Sequence, residues 1–90
     1  MPSSEIVGLA GGPEAILRRA RALLAAGQLD LALTLVQFAV DAAAPSSSDA
    51  VRAHALRAEV LRAKERAEPS YMAQGIYRSF RLLSEAASKL

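Results

Sequence analysis

Three interruptions decide what this chain can become. Gly27, the run Pro45-Ser46-Ser47-Ser48-Asp49 and Pro69 follow a Gly11-Gly12-Pro13 start. Together they cut the sequence into four stretches, each apolar at helical spacing. Pro13 suits the first position of a helix, and Glu14 faces the positive end of its dipole. Ile16, Leu17, Ala20, Leu23 and Leu24 then recur on one side, with Arg18, Arg19 and Arg21 elsewhere on the wheel. Gly27 ends this helix, because glycine most cheaply adopts the left-handed C-terminal turn.

The second stretch predicts a helix from about Leu29 to Ala44. It has one stripe of Leu29, Ala32, Leu33, Val36 and Val40, and another of Leu31, Leu35, Phe38 and Ala42. A helix apolar on two sides is buried on two sides. This one is therefore expected at the centre, wedged between its neighbours or between a neighbour and another chain. Ser48 or Asp49 is expected to cap a third helix through about Ala67, with Ala53, Leu56, Val60, Ala63 and Ala67 as its stripe. Arg52, Glu59, Arg62, Glu65 and Arg66 fall on its wet side, and Glu59 to Arg62 and Lys64 to Glu68 are spaced for exposed ion pairs. Pro69 stops it, since the residue before a proline avoids helical angles. Ser70 caps a fourth helix. Met72, Ile76, Phe80, Leu83 and Ala87 line one face of that helix, and Arg78, Arg81, Glu85 and Lys89 line the other.

Composition agrees with this division. Hydrophobic residues are 52% of the chain and aromatics only 4%, so the excess is alanine and leucine, which lose little on entering a helix. The fold class is all-α: four helices in two antiparallel hairpins, the first with a tetratricopeptide-like look. Residues 1–11 are expected to be a flexible lead-in and residues 12–90 one helical domain. A chain of 90 residues buries only about 60% of its unfolded surface and gains from a partner.

The chemistry of catalysis is missing. Without cysteine there are no disulfides, thiolate metal sites or thiol nucleophiles. One histidine, His54, stands with no acid a turn away, which fits a boundary side chain rather than a catalyst or ligand. Ser46 to Ser48 form a solvated turn, and Gly11-Gly12 lacks the lysine of a phosphate loop. No catalytic, cofactor-binding or metal-binding residue is assigned, and the chain alone is not expected to be an enzyme. The net charge of +2, from eleven bases and nine acids, with almost no aromatics to stack on, gives no reason to expect nucleic acid. No apolar run approaches the roughly 20 residues of a membrane span, and Met1 to Glu5 do not begin a signal peptide. Membrane binding is not expected, and the cytoplasm is the expected location.

One glycine is out of place. Gly75 lies inside the fourth helix at a cost of about 1 kcal/mol relative to alanine, tolerable where another backbone must come close. The landmarks run in order: the Gly-Gly-Pro start, Leu23 to Leu33, Pro45, Arg57-Ala58-Glu59-Val60-Leu61-Arg62, and Ser70-Tyr71-Met72-Ala73-Gln74-Gly75-Ile76-Tyr77-Arg78. From about Gly11 to Ala87 this order resembles the alkyl sulfatase dimerisation domain. That helical module follows a metallo-β-lactamase-fold catalytic domain in alkyl sulfatases and related hydrolases. Many members carry an Arg-Asn pair where this chain has Gln74-Gly75. The resemblance implies a homodimerisation module, with any zinc belonging to a catalytic domain whose histidine motifs have no counterpart here.

Apolar surplus and resemblance point to the same contact. Leu31, Leu35 and Phe38 of the second helix and Met72, Gly75, Ile76, Tyr77 and Phe80 of the fourth are the expected interface, the alternative being that they fill the core. A different class of function is a free-standing tetratricopeptide-like adaptor that grips an acidic peptide with Arg18 or Arg57. A helix-turn-helix DNA binder is disfavoured, because no arginine- or asparagine-rich recognition helix follows Gly27.

Overall fold

The computed structural model describes Ser3, Glu5, Gly8 and residues 11–89. Most of the expected lead-in, residues 1–11, thus lies outside the described residues. Four helices carry the fold: α1 Pro13–Ala25, α2 Leu29–Ala42, α3 Ser48–Ala67 and α4 Tyr71–Ser88. The described residues include no strand, and the chain is all-α as expected.

The helix ends follow local chemistry. Pro13 opens α1, and Gly27 closes it at φ 79. The Gln28 amide donates to the Leu23 carbonyl at 2.9 Å and the Gly27 amide to Leu24 at 3.1 Å. That pair of bonds is a Schellman turn. α2 stops at Ala42 rather than Ala44, with Ala43 already extended, because Pro45 excludes helical angles from the residue before it. The cap of α3 is Ser47, not Ser48 or Asp49: its Oγ accepts from the Ala50 amide at 3.1 Å. Asp49 lies instead in the first turn, near the positive dipole end. Ser70 caps α4 as expected, accepting from the Ala73 amide at 3.3 Å.

Side-chain bonds set the direction of each helix. Glu14 meets Arg52 and Arg21 meets Glu59, so α1 and α3 run parallel. Arg57 meets Gln37 and Lys64 meets Asp30, so α2 opposes α3. Glu65 meets Arg78 and Arg81, Arg62 meets Glu85 and Arg57 meets Ser84, so α4 opposes α3 as well. The expected short pairs within α3 give way to these pairs between helices.

The core lies among α1, α2 and α3. Ala20, Ala32, Val36, Leu56 and Val60 form one buried cluster, and Ile16, Ala39 and Ala53 form another. The central helix is α3 rather than α2: it packs against all three others, whereas α4 packs against α3 alone. Of its expected stripe α3 buries Ala53, Leu56 and Val60, with Ala63 half-buried and Ala67 exposed, and it buries Ala58 and Leu61 besides. Arginines and glutamates interleaved along this helix hide that second face from a periodicity count. α2 is graded instead, with Val36 fully buried, Leu35 and Phe38 half-buried and Leu31 exposed.

Candidate self-association surface

α4 turns its polar side inward. Its one buried residue is Ser84, fully covered. Ala73, Tyr77, Arg81 and Ser88 share that side at helical spacing and are half-buried. Round the helix from them, Met72 is 80% exposed, Leu83 67% and Ile76 51%, with Phe80 at 43% on the border between the two sides. Tyr71 and Leu82 add to the uncovered surface. A helix in water ordinarily does the reverse, and a contiguous apolar face left outward marks an interaction site.

The inward side is held by charge. Glu65, whose side chain is only 14% exposed, accepts from Arg78 Nε at 2.8 Å and Arg81 Nε at 3.1 Å. Arg81 Nη1 and Arg62 Nη2 donate to the same oxygen of Glu85, at 2.9 and 2.8 Å. These arginines hold both carboxyl groups below their ordinary range: Arg78 first and then Arg81 for Glu65, Arg81 first and then Arg62 for Glu85. The expected wet-side positions of Glu65, Arg81 and Glu85 are thereby corrected. Each has its counter-charge across the α3–α4 seam, where water reaches only in part.

Ser84 anchors the far end of the seam. Arg57 Nη1 donates to its Oγ at 2.7 Å, and His54 Nδ1 lies 3.3 Å from the same oxygen. A hydroxyl that accepts from arginine is free to donate to a neutral imidazole. Burial, and then the charge of Arg57, push His54 down from its ordinary value, in keeping with that neutral form. His54 is thus a satisfied boundary side chain.

A groove of about 350 Å³ runs between α2 and α4 over α3. Leu33, Thr34, Gln37 and Phe38 form one wall, Tyr77 and Phe80 the other, and Arg57 and Leu61 the floor. The predicted interface residues therefore divide. Met72 and Ile76 lie on the open face of α4, Phe80 stands at its edge and also walls the groove, and Leu31 is the exposed leucine of α2. Leu35 packs against both core clusters, and Phe38 and Tyr77 face the groove. Around Gly75 a methyl group would meet nothing within 4 Å, so no other helix among the described residues makes the close approach its glycine suggested. Leu82 and Tyr71 were missed, lying just outside the stripe counted from Met72. Among the described residues, no cluster of three or more His, Cys, Asp or Glu could hold a metal ion. None of the described helices is long and apolar enough to cross a membrane.

A small all-α bundle whose last helix is fixed by charges and left greasy on its outer side belongs to the class of helical association modules. The particular family follows from comparison: the alkyl sulfatase dimerisation model matches residues 2–85. The chain belongs to the alkyl sulfatase dimerisation family. Neither a curated protein nor a solved structure matches it.

Proposed function

We propose that this chain assembles into a homodimer through the outer face of α4. One observation carries the proposal: α4 buries a serine while Met72, Ile76 and Leu83 stay in water. Membership of a dimerisation family supports a second copy as the partner of that face. A twofold pairing of two α4 helices covers it on both copies at once. Gly75 and Ser79, one turn apart beside these residues, give a partner helix room to settle closely. The face is about 27 Å long, from 18 residues at about 1.5 Å each. At roughly one helix diameter wide it falls short of the ~800 Å² per partner of a standard interface, so surface beyond α4, such as Leu31, also contributes.

The expected hydrolase relation fits the same scheme. A metallo-β-lactamase-fold domain would supply catalysis and its zinc, and this chain would supply assembly. The adaptor alternative would rest on Arg18, which is exposed, or on Arg57, whose Nε and Nη1 are taken by Gln37 and Ser84; the dimerisation family match favours self-association over it. Sedimentation equilibrium tests the proposal. Wild-type protein is expected to be a dimer, and the double variant Ile76→Lys, Leu83→Lys a helical monomer. A wild-type monomer at every concentration refutes homodimer assembly, and a variant that still dimerises refutes the assignment of the face.

A further inference from the structure

Of the half-buried cations among the described residues, Arg57, Lys64 and Arg81, Arg57 alone has no ion pair. Lys64 and Arg81, with side chains 15% and 17% exposed, each meet a carboxylate directly. Arg57 is half-buried, and no aspartate or glutamate lies within ion-pair distance of it among the described residues. Its Nε donates to Gln37 Oε1 at 3.0 Å and its Nη1 to Ser84 at 2.7 Å, both neutral acceptors. Gln37 passes part of the charge on, donating through Nε2 to Asp41 at 3.0 Å. The Phe80 ring lies 5.8 Å from the guanidinium carbon. Among the described residues Nη2 has no hydrogen-bond partner and no buried polar side-chain atom is unsatisfied, so Nη2 has open surface. A partly desolvated charge without a counter-ion is costly in a fold that pairs its other cations along this seam.

The surroundings fix what would meet that charge. The groove that Arg57 floors is lined by the apolar Leu33, Phe38, Leu61, Tyr77 and Phe80, with Thr34 and Gln37 as its polar wall residues. At about 350 Å³ it sits near the low end of the range for small-molecule sites, roughly 300–1,000 Å³. That is room for one flexible chain rather than a peptide helix. We infer that the α2–α4 groove binds a medium-chain carboxylate, with its head on Arg57 and its tail along Leu33, Phe38, Tyr77 and Phe80. Guanidinium recognises a carboxylate by directed, charge-assisted hydrogen bonds, and the apolar walls remove the tail from water. The site meets the outer face of α4 at Phe80 alone, and its recognition of charge by Arg57 does not draw on dimerisation.

Amide shifts in a ¹⁵N-labelled sample, titrated with sodium decanoate below its micellar concentration, test the inference. Shifts are expected at Leu33, Gln37, Phe38, Arg57, Tyr77 and Phe80, and decyltrimethylammonium, of equal tail length and opposite charge, is expected to leave them unmoved. Arg57→Gln should weaken decanoate about tenfold, the loss of a charge-assisted hydrogen bond, while Arg57→Lys retains most of the affinity. Thr34→Glu, on an exposed wall position, puts a negative charge beside the head and should weaken binding even if Arg57→Gln fails to fold. No localised shift, equal binding of the cationic amphiphile, or unaltered affinity in Thr34→Glu or folded Arg57→Gln overturns the inference. Preferred binding of an acidic peptide over decanoate overturns it too. Sedimentation of the same samples keeps this outcome distinct from the fate of the dimer.

Discussion

Ser84→Ala separates a polar seam from a merely filled one. Serine and alanine differ by one oxygen, so the substitution leaves no cavity and gains helix propensity, at most about 0.5 kcal/mol. Against this stands the loss of the acceptor for Arg57 Nη1 at 2.7 Å and of the partner for His54 Nδ1. A hydrogen bond to a charged group contributes about 1.5–3 kcal/mol, and the lower end applies because Arg57 keeps some contact with water. The net expectation is a destabilisation of about 1 kcal/mol, or a fall in Tm of roughly 4–8 °C for a domain of this size. Urea unfolding at one fixed protein concentration measures it, so that mass action does not enter. Adding Arg57→Met removes the donor as well, and the doubly substituted chain should recover part of the loss, the remainder belonging to His54 Nδ1 and Gln37 Oε1, which still lack their partners. A Ser84→Ala protein as stable as the parent, or more so, would refute the claim that α4 is held by its polar side.

Further expectations follow from the same geometry. Gly27→Ala forces an alanine to φ 79 in the Schellman turn and should cost about 1 kcal/mol by urea unfolding, although no atom of the chain lies near the added methyl group. Acid should act in two windows. His54, held below 6.5 when folded, lets the unfolded chain bind the extra proton, so stability falls as pH drops through 6.5 and is unaffected well above it. His54→Gln should flatten that first decline in a pH series of urea midpoints. Glu65 and Glu85, held below 4.5 by their arginines, keep their contribution above that value and lose it as pH falls further.

The helices were legible because glycine, proline and serine act locally. Gly27, Pro45 and Pro69 terminate helices through their own backbone limits, whatever surrounds them. The cap of α3 slipped by one residue, since three successive serines offer the same hydroxyl. The orientation of α4 was not legible. Its stripe from Met72 to Leu83 has the spacing of a core face, and inward burial is the ordinary outcome for such a stripe. What turns it outward lies elsewhere in the chain: Arg57, Arg62 and Glu65 on α3 match Ser84, Glu85 and the pair Arg78 and Arg81 on α4. Those matches span 13 to 27 residues and emerge only once the two helices are laid antiparallel. The groove was illegible for the same reason, its walls coming from α2 and α4, which do not pack against each other.

An isotope-filtered NOE experiment on a sample mixed from labelled and unlabelled chains tests most directly whether α4 meets a second copy. Contacts between chains are expected from the methyl groups of Met72, Ile76 and Leu83, and none from those of Leu56 or Val60 in the core. Filtered spectra empty at α4, or showing contacts between chains only from α1, would contradict it.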